Sequence, residues 1–196
     1  MALIATEGTK RTPAPEGTHL ALCCQIIDIG TQHSEYYGTD SHKVVFGWEL
    51  PNELNPEDEN KPFLVWKRYT LSLNEKAALR AHLESWRGKK FSDEELRGFD
   101  LKNVLGKPCL LNVVHSEGYA NVAAVMAVTK GTPIPKPSHT QIFFDIDEWN
   151  DEVFKTFSPK MQQTISNSKE AIDKFGQRAN GAAPAEINLD DDAIPF

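Results

Sequence analysis

The chain has 196 residues, of which 40% are hydrophobic and 25% are charged, a composition typical of globular proteins. This excludes a collagen-like or wholly disordered chain, and the absence of any run of about 18 apolar residues excludes a membrane-spanning one. Three cysteines without a CxxC pair, and first residues without the apolar stretch of a signal peptide, predict a cytoplasmic, reduced protein.

The net charge of −7 is unevenly distributed along the chain. Residues 1–136 hold 16 basic and 17 acidic side chains, whereas residues 137–196 hold 5 basic and 11 acidic ones. The acidity belongs mainly to the C-terminal part. The net charge therefore does not argue against a nucleic-acid partner for the rest of the chain.

Three strands are predicted first, after a flexible N-terminal arm at residues 1–16. Apolar residues in runs or in alternation indicate these strands, at residues 17–29, 42–50 and 62–73. The polar stretch at 31–41 is predicted to be a loop. In the second strand Val44, Phe46 and Trp48 share one face, so we expect only that face to be buried.

Two helices and a hairpin are predicted next. The first helix begins at Asn74, a natural N-cap, and stops at Gly88. The second is short and starts at Ser92, whose partner Glu95 completes a capping box. Two further strands, joined by a tight turn, are predicted at residues 108–115 and 119–128.

The order of these elements predicts a mainly β fold with a helical insert and a helical extension. Five strands with a helix between the third and the fourth match an OB-fold barrel over residues 17–130, and a five-stranded α+β sandwich fits the same order. Residues 131–175 are predicted to be a proline-rich connector and helices, one of which begins at the pair Ser158-Pro159. Residues 176–196 are predicted to be a flexible linker and a disordered acidic tip.

Motifs for catalysis are missing from the sequence. It contains no phosphate-binding glycine loop, no dinucleotide fingerprint, no serine-hydrolase elbow and no HExxH. His115 is interpreted as a structural strand-end histidine, and the carboxylates at 145–152 as the acidic start of a helix. We therefore predict neither an enzyme nor a bound metal or other cofactor.

The third predicted strand carries aromatic and cationic side chains in direct succession, from Trp66 to Tyr69. Aromatic faces stack on bases and cations follow phosphates, so this mixture is typical of a single-stranded nucleic-acid site. Because Trp66 and Tyr69 lie on opposite faces of the strand, at least one of them belongs to the core. In an OB-fold the binding surface centres on strands 2 and 3 with their flanking loops. The candidate DNA-binding residues are Tyr36, Tyr37, Lys43, Trp48, Trp66, Lys67, Arg68, Tyr69 and Lys107.

The last seven residues combine three aspartates with an apolar end. Such a peptide can dock with Phe196 in a pocket and its α-carboxylate on an Arg or Lys, while the aspartates contact a basic rim. The predicted partner-binding residues are Asp190, Asp191, Asp192, Ile194, Pro195 and Phe196.

This ending resembles the acidic tip of bacterial and bacteriophage single-stranded-DNA-binding proteins, which typically reads Asp-Asp-Asp, an aliphatic residue and Pro-Phe. Three segments of the body are similar to phage-encoded OB-fold proteins of this type, namely residues 67–73, 85–88 and 105–108. The resemblance implies binding of single-stranded DNA without strong sequence preference, in the cytoplasm of a phage-infected bacterium. It also implies recruitment of replication, recombination and repair enzymes through the tip.

The sequence departs from that family in three ways and leaves other functions open. Ala193 lengthens the spacing within the tip, the linker is shorter and less repetitive than the bacterial one, and the body differs from the bacterial tetramer-forming domain. The oligomeric state therefore stays open, and a homo-oligomer is one alternative. A protein-interaction module with a DNA-mimicking tail and a metal-dependent nuclease using residues 145–152 are two others. RNA binding is a further one, because stacking and phosphate contacts do not distinguish the sugars. No membrane partner is predicted.

Overall fold

A computed structural model describes residues 12–58 and 61–175, and within these ranges the protein is mainly β, as predicted. The strands are β1 (Gly17–Ser34), β2 (Thr39–Asn55), β3 (Lys61–Thr70), β4 (Pro108–Ser116), β5 (Tyr119–Met126) and β6 (Ile142–Phe144). The helices are α1 (Ala78–Arg87), α2 (Asp93–Arg97), α3 (Asp151–Lys155), α4 (Pro159–Ser166) and α5 (Lys169–Phe175), with a 3₁₀ turn at Leu101–Val104. Each helix in the described ranges is too short or too polar to cross a membrane. The predicted linker and acidic tip, with most of the N-terminal arm, lie outside the described residues.

The strands form one sheet in the order β3-β2-β1-β4-β5. Strand β1 is long enough to pair with β4 along its first part and with β2 along the rest, both antiparallel. The short β6, which the sequence pattern did not predict, adds parallel to β1 beside Gln25–Ile27. Helix α1 lies between β3 and β4 in the chain, as expected.

The predicted loop at 31–41 is for the most part regular strand. Strands β1 and β2 continue to the facing pair Ser34 and Thr39, and the turn holds only the four residues between them. Gly38 ends this turn with φ of +58°, a conformation that glycine adopts without the steric cost of a side chain. The hairpin formed by β1 and β2 is therefore longer than predicted.

One core cluster fills the space between the sheet and α1. Phe46 and Trp48 of β2 stack with ring centroids 5.6 Å apart, and Tyr69 of β3 meets Phe46 edge to face at 5.5 Å. Trp86 of α1 closes the cluster against Trp48 at 6.3 Å. The helix between β3 and β4 thus covers the inner face of the sheet.

A second cluster covers the opposite face of β1 and β2. Ile27, Ile29 and Val45 pack there against residues of β6 and the C-terminal helices, including Phe144 and Ile165. The expectation that β2 buries only one face is therefore wrong, because the C-terminal extension covers the other. The C-terminal extension comes close to β1 at Gly30 (φ +67°), where an added Cβ atom would lie 2.5 Å from Cβ of Ser168.

The helix ends agree with the sequence signals in three places and differ in one. Helix α1 stops at Gly88, α2 carries the Ser92–Glu95 capping box, and Ser158 caps α4 ahead of its first-turn proline. The start of α1 differs, because Ala77 rather than Asn74 occupies its N-cap position. In the predicted arm, Ala14 packs into the core at 3% exposure.

Candidate nucleic-acid interface

An open cleft with a volume of about 680 Å³ lies at the end of the sheet where β1 and β2 meet their turn. Its floor is a set of side chains from three strands, which we name the polar track. The polar track consists of Gln32, Ser34, Thr39, Ser41, Lys43, Arg68 and Thr70. Tyr36, Tyr37 and His33 complete the lining of the cleft.

Strand pairing brings these residues together from three separate parts of the sequence. Alternate residues of a strand point to the same face, and the polar track takes alternate residues from each of β1, β2 and β3. The register aligns Ser34 with Thr39, and Lys43 with Thr70. The result is a continuous polar surface on one face of the sheet.

Within the described ranges, the residues that line the cleft include cations and no carboxylate, although the chain as a whole is acidic. Lys43 and Arg68 contribute two cations, and no Asp or Glu is among the described residues that line the cleft. Lys43 Nζ lies 3.4 Å from Thr70 Oγ1, which helps to orient the ammonium group above the track. His33 at the rim pairs with Asp40, at 2.6 Å between Nδ1 and Oδ1. Such a surface suits an anion that extends over more than one strand.

Aromatic side chains mark both ends of this surface. Tyr36 and Tyr37, in the turn between β1 and β2, are 76% and 71% exposed, with ring centroids 4.7 Å apart. At the other end Trp66, half-buried, lies over Gly47 of β2, where an added Cβ atom would come within 2.8 Å of the indole Nε1. That nitrogen donates a hydrogen bond of 3.0 Å to Gln25. From Gly47 to the turn is eight residues of β2, or about 26 Å at ~3.3 Å per residue.

Two of the predicted DNA-binding residues lie in the core instead. Trp48 is 1% exposed and Tyr69 is 4% exposed, so neither ring is open to a base. The strand alternation left open whether Trp66 or Tyr69 faces inward, and the structure puts Tyr69 inside. Burial raises the pKa of Tyr69 well above its usual value, and its hydroxyl lies 2.7 Å from Nδ1 of His82 on α1.

The two remaining predicted cations lie away from the cleft. Lys67 extends from β3 to β5, where its Nζ donates a 2.9 Å hydrogen bond to the carbonyl of Val122. Lys107 lies beside Cys23, whose amide donates to the Lys107 carbonyl. Since Lys43 pairs with Gly30, the two lysines are separated by about 23 Å of β1 at ~3.3 Å per residue. Neither lysine lines the cleft.

The polar residues of the track were missed in the sequence, apart from Lys43 and Arg68. The stretch containing Gln32, Ser34, Thr39 and Ser41 has no apolar alternation and was therefore interpreted as a loop. The available signal was Tyr-Tyr-Gly followed directly by the β-branched Thr39, which is compatible with a hairpin turn between two polar strands.

The other candidate residues have structural roles. His115 Nε2 lies 2.8 Å from the carbonyl oxygen of Ala14. Asp145 accepts from the amide of Asp147, and Asp151 accepts from the indole of Trp149. Within the described ranges, no three His, Cys, Asp or Glu side chains are grouped closely enough to hold a metal ion. The partner-binding residues predicted at 190–196 lie outside those ranges.

Comparison of the sequence with protein-family models and with curated proteins found no match.

Proposed function

We propose that the protein binds single-stranded DNA along the polar track, without strong sequence preference. The observation that carries this proposal is the combination on one surface of two cations, no lining carboxylate, two exposed tyrosine rings at the turn and the half-buried Trp66 at the other end. Cations follow the phosphates of a single strand, and aromatic rings stack on its bases. Hydroxyl side chains between them offer hydrogen bonds to either.

The surface favours a single strand over a duplex. Bases in a duplex are already stacked on one another, so they are not open to Tyr36, Tyr37 or Trp66. A span of about 26 Å also matches a short extended segment, at the lower end of the ~4–16 nucleotides that one OB-fold covers. The protein contacts phosphates and base faces here, which explains why little sequence preference is expected.

The strand order supports a partly open OB barrel as the scaffold of this site. An OB-fold is a five-stranded Greek-key barrel that binds nucleic acid on strands 2 and 3 with the loop between strands 1 and 2. The cleft lies on β2 and β3 and at the β1–β2 turn, and α1 occupies the usual position between β3 and β4. The hydrogen bond from Lys67 to Val122 links β3 to β5, the two ends of the strand order, and this supports the proposed barrel.

We further propose that residues 190–196 recruit enzymes of replication, recombination and repair in an infected bacterial cell. This part of the proposal rests on the sequence of the tip and on its resemblance to the tip of single-stranded-DNA-binding proteins. The same resemblance favours DNA over RNA as the ligand of the polar track.

The test is a fluorescence titration of the full chain with oligo-dT, oligo-U and duplex DNA of the same length. We expect oligo-dT to bind most tightly and the duplex to bind weakly. Tyr36→Ala/Tyr37→Ala should weaken oligo-dT binding by ~1–3 kcal/mol for each base that loses its stacking partner. Tyr119→Ala is the matched control, since Tyr119 is an exposed tyrosine at the β4–β5 turn, outside the cleft.

Three results would count against the proposal. If Tyr119→Ala weakened oligo-dT binding as much as the double variant does, the turn at 35–38 would not be part of the site. Tighter binding of oligo-U would identify RNA as the ligand. No binding to any nucleic acid at low salt would favour a protein-interaction module.

A further inference from the structure

A histidine beside the polar track bridges the sheet and the last helix. His42 of β2 lies in the sequence between Ser41 and Lys43, which both line the cleft, so its own side chain points to the opposite face of the strand. Its Nε2 is 2.6 Å from an oxygen of Asp28 on β1, and its Nδ1 is 3.5 Å from an oxygen of Glu170 on α5. An imidazole has two N–H donors only when it is protonated, so the charged form suits both carboxylates at once.

Glu170 also binds the sheet directly. Its two oxygens accept hydrogen bonds from the amide and the hydroxyl of Thr31, at 2.6 and 2.5 Å. Thr31 precedes Gln32 of the polar track, and Gln32 donates 3.1 Å to the carbonyl of Thr164 on α4. The C-terminal helices therefore hold the strand that forms one side of the cleft.

The fold lets α5 approach this closely at one point. Gly30 (φ +67°) precedes Thr31, and an added Cβ atom there would lie 2.5 Å from Ser168 and 2.7 Å from the Glu170 carboxylate. Any larger residue would push α5 away from the sheet. The contact between α5 and the sheet is thus close and polar, and His42 takes part in it.

We propose that His42, Asp28 and Glu170 form a proton-dependent clasp that fastens α5 to the sheet and so regulates DNA binding at the polar track. The clasp is closed when His42 is charged and loosens when His42 loses its proton. The claim of regulation rests on the proposed function, whereas the docking of α5 can be measured without DNA.

The charges around His42 decide the direction of the pH dependence. The hydrogen bond and charge of Asp28, with Glu170 on α5 and Asp147 after β6, raise the pKa of His42 above its ordinary 6.5, although burial opposes this. A raised histidine pKa means that the stabilisation is complete below pH ~6.5 and is lost as the pH rises through the pKa in the folded state. Burial alone would raise the pKa of Glu170, but the hydrogen bonds from Thr31 and the charge of His42 lower it below 4.5. The clasp is therefore closed between the lowered pKa of Glu170 and the raised pKa of His42.

Loss of the proton also changes the field at the cleft. Asp28, Glu170 and Asp147 then lose the cation that offsets them, which is the neighbour of Lys43 along β2. Negative charge near a phosphate site weakens binding, and a loosened α5 leaves Gln32 less firmly held. We expect oligo-dT affinity to fall as the pH rises past neutral.

The first measurement is hydrogen–deuterium exchange of the full chain without DNA, at about pH 6 and about pH 8.5, corrected for chemical exchange. Protection of α5 should fall about tenfold between these values relative to β4, the size expected for loss of a hydrogen bond to a charged group. His42→Gln should show the low protection at both values. His33→Gln is the matched control, because His33 lies at the same end of the sheet and pairs with Asp40 rather than with α5.

The second measurement is the affinity for oligo-dT at the same two pH values. The wild type should lose several-fold in affinity between them, and His42→Gln should show no such change. Exchange of α5 that is independent of pH in the wild type, or unchanged by His42→Gln, would overturn the clasp. A pH-dependent α5 with a constant oligo-dT affinity would overturn the regulation alone. If oligo-dT does not bind at all, the proposed function fails and the exchange data still decide whether the clasp exists.

Discussion

Replacing the two cations of the cleft, in Lys43→Gln/Arg68→Gln, tests the electrostatic part of the proposed site. Both side chains lie on the polar track, and in the proposed complex each neutralises one phosphate. For a single strand the logarithm of the binding constant falls with the logarithm of the salt concentration by ~0.7 per neutralised phosphate. Loss of both cations should therefore reduce the magnitude of this slope by about 1.4.

The same figure gives the change in affinity. Between about 50 and 200 mM salt, a slope contribution of about 1.4 corresponds to a roughly sevenfold loss in affinity. The wild type should show this loss in addition to whatever salt dependence the double variant retains. The assay is titration of labelled oligo-dT at four salt concentrations, followed by fluorescence anisotropy.

Lys107→Gln is the control that distinguishes the loss of a cation in the cleft from the loss of a cation elsewhere in the protein. Lys107 is a cation from the sequence-based set, but it lies about 23 Å of strand away from Lys43. That distance exceeds two Debye lengths of ~8 Å at physiological salt, so its charge is screened from the cleft. Two results would refute the assignment of phosphates to the polar track. One is a salt slope that Lys107→Gln reduces as much as the double variant does. The other is a salt slope that is the same in the double variant as in the wild type.

Four further outcomes follow from the contacts described above. Gly47→Ala should lower the free energy of unfolding by ~1–3 kcal/mol in urea titrations and shift the emission of Trp66, because the new methyl group would overlap the indole. Glu49→Gln should cost about 1–3 kcal/mol and speed proteolysis near residues 130–140, since this fully buried carboxylate accepts only from N–H donors there. Cys24 should resist thiol reagents at pH ~8 in the native protein, because burial raises its pKa to about 12. Deletion of 190–196 should leave oligo-dT affinity equal or higher, since a competing anion is removed.

Each of these has a control or an opposite result that can be observed. Gly98→Ala adds a methyl group in extended backbone with nothing within 4 Å, so it should change stability by less than ~0.5 kcal/mol. Stability of Glu49→Gln equal to that of the wild type would mean that the connector is not held by this carboxylate. Rapid labelling of the native thiols would contradict their burial, and a clear loss of affinity after the deletion would contradict competition by the tip.

Much of the fold could be predicted because its signals are local. Apolar alternation indicated five of the strands within a few residues, and glycine or capping residues indicated where α1 ends and where α2 and α4 begin. The start of α1 was misplaced by three residues, because Asn74 was taken as the N-cap, whereas Ala77, which has no capping side chain, occupies that position. The three residues of β6 were missed, because so short a segment has no period to detect.

The candidate site was harder to predict, since most of its residues are ordinary polar ones. Lys43, Arg68, Tyr36 and Tyr37 were identified from residue type, and the structure brings them to one cleft. Gln32 and its polar neighbours became part of it only through strand pairing. Trp48 shows the opposite error, because an aromatic residue on the expected strand turned out to fill the core.

By itself the sequence determined the mainly β class, the helix between β3 and β4, and a mixture of aromatic and cationic residues on the third strand. It could not determine which face of that strand looks outward, because alternation defines two faces without naming the buried one. Only the tertiary structure decided this, since α1 covers the face of Tyr69 while the C-terminal helices cover β1 and β2 from the other side. What the C-terminal helices leave uncovered is the part of the polar track on β2 and β3, because its polar side chains gain nothing from burial against an apolar helix.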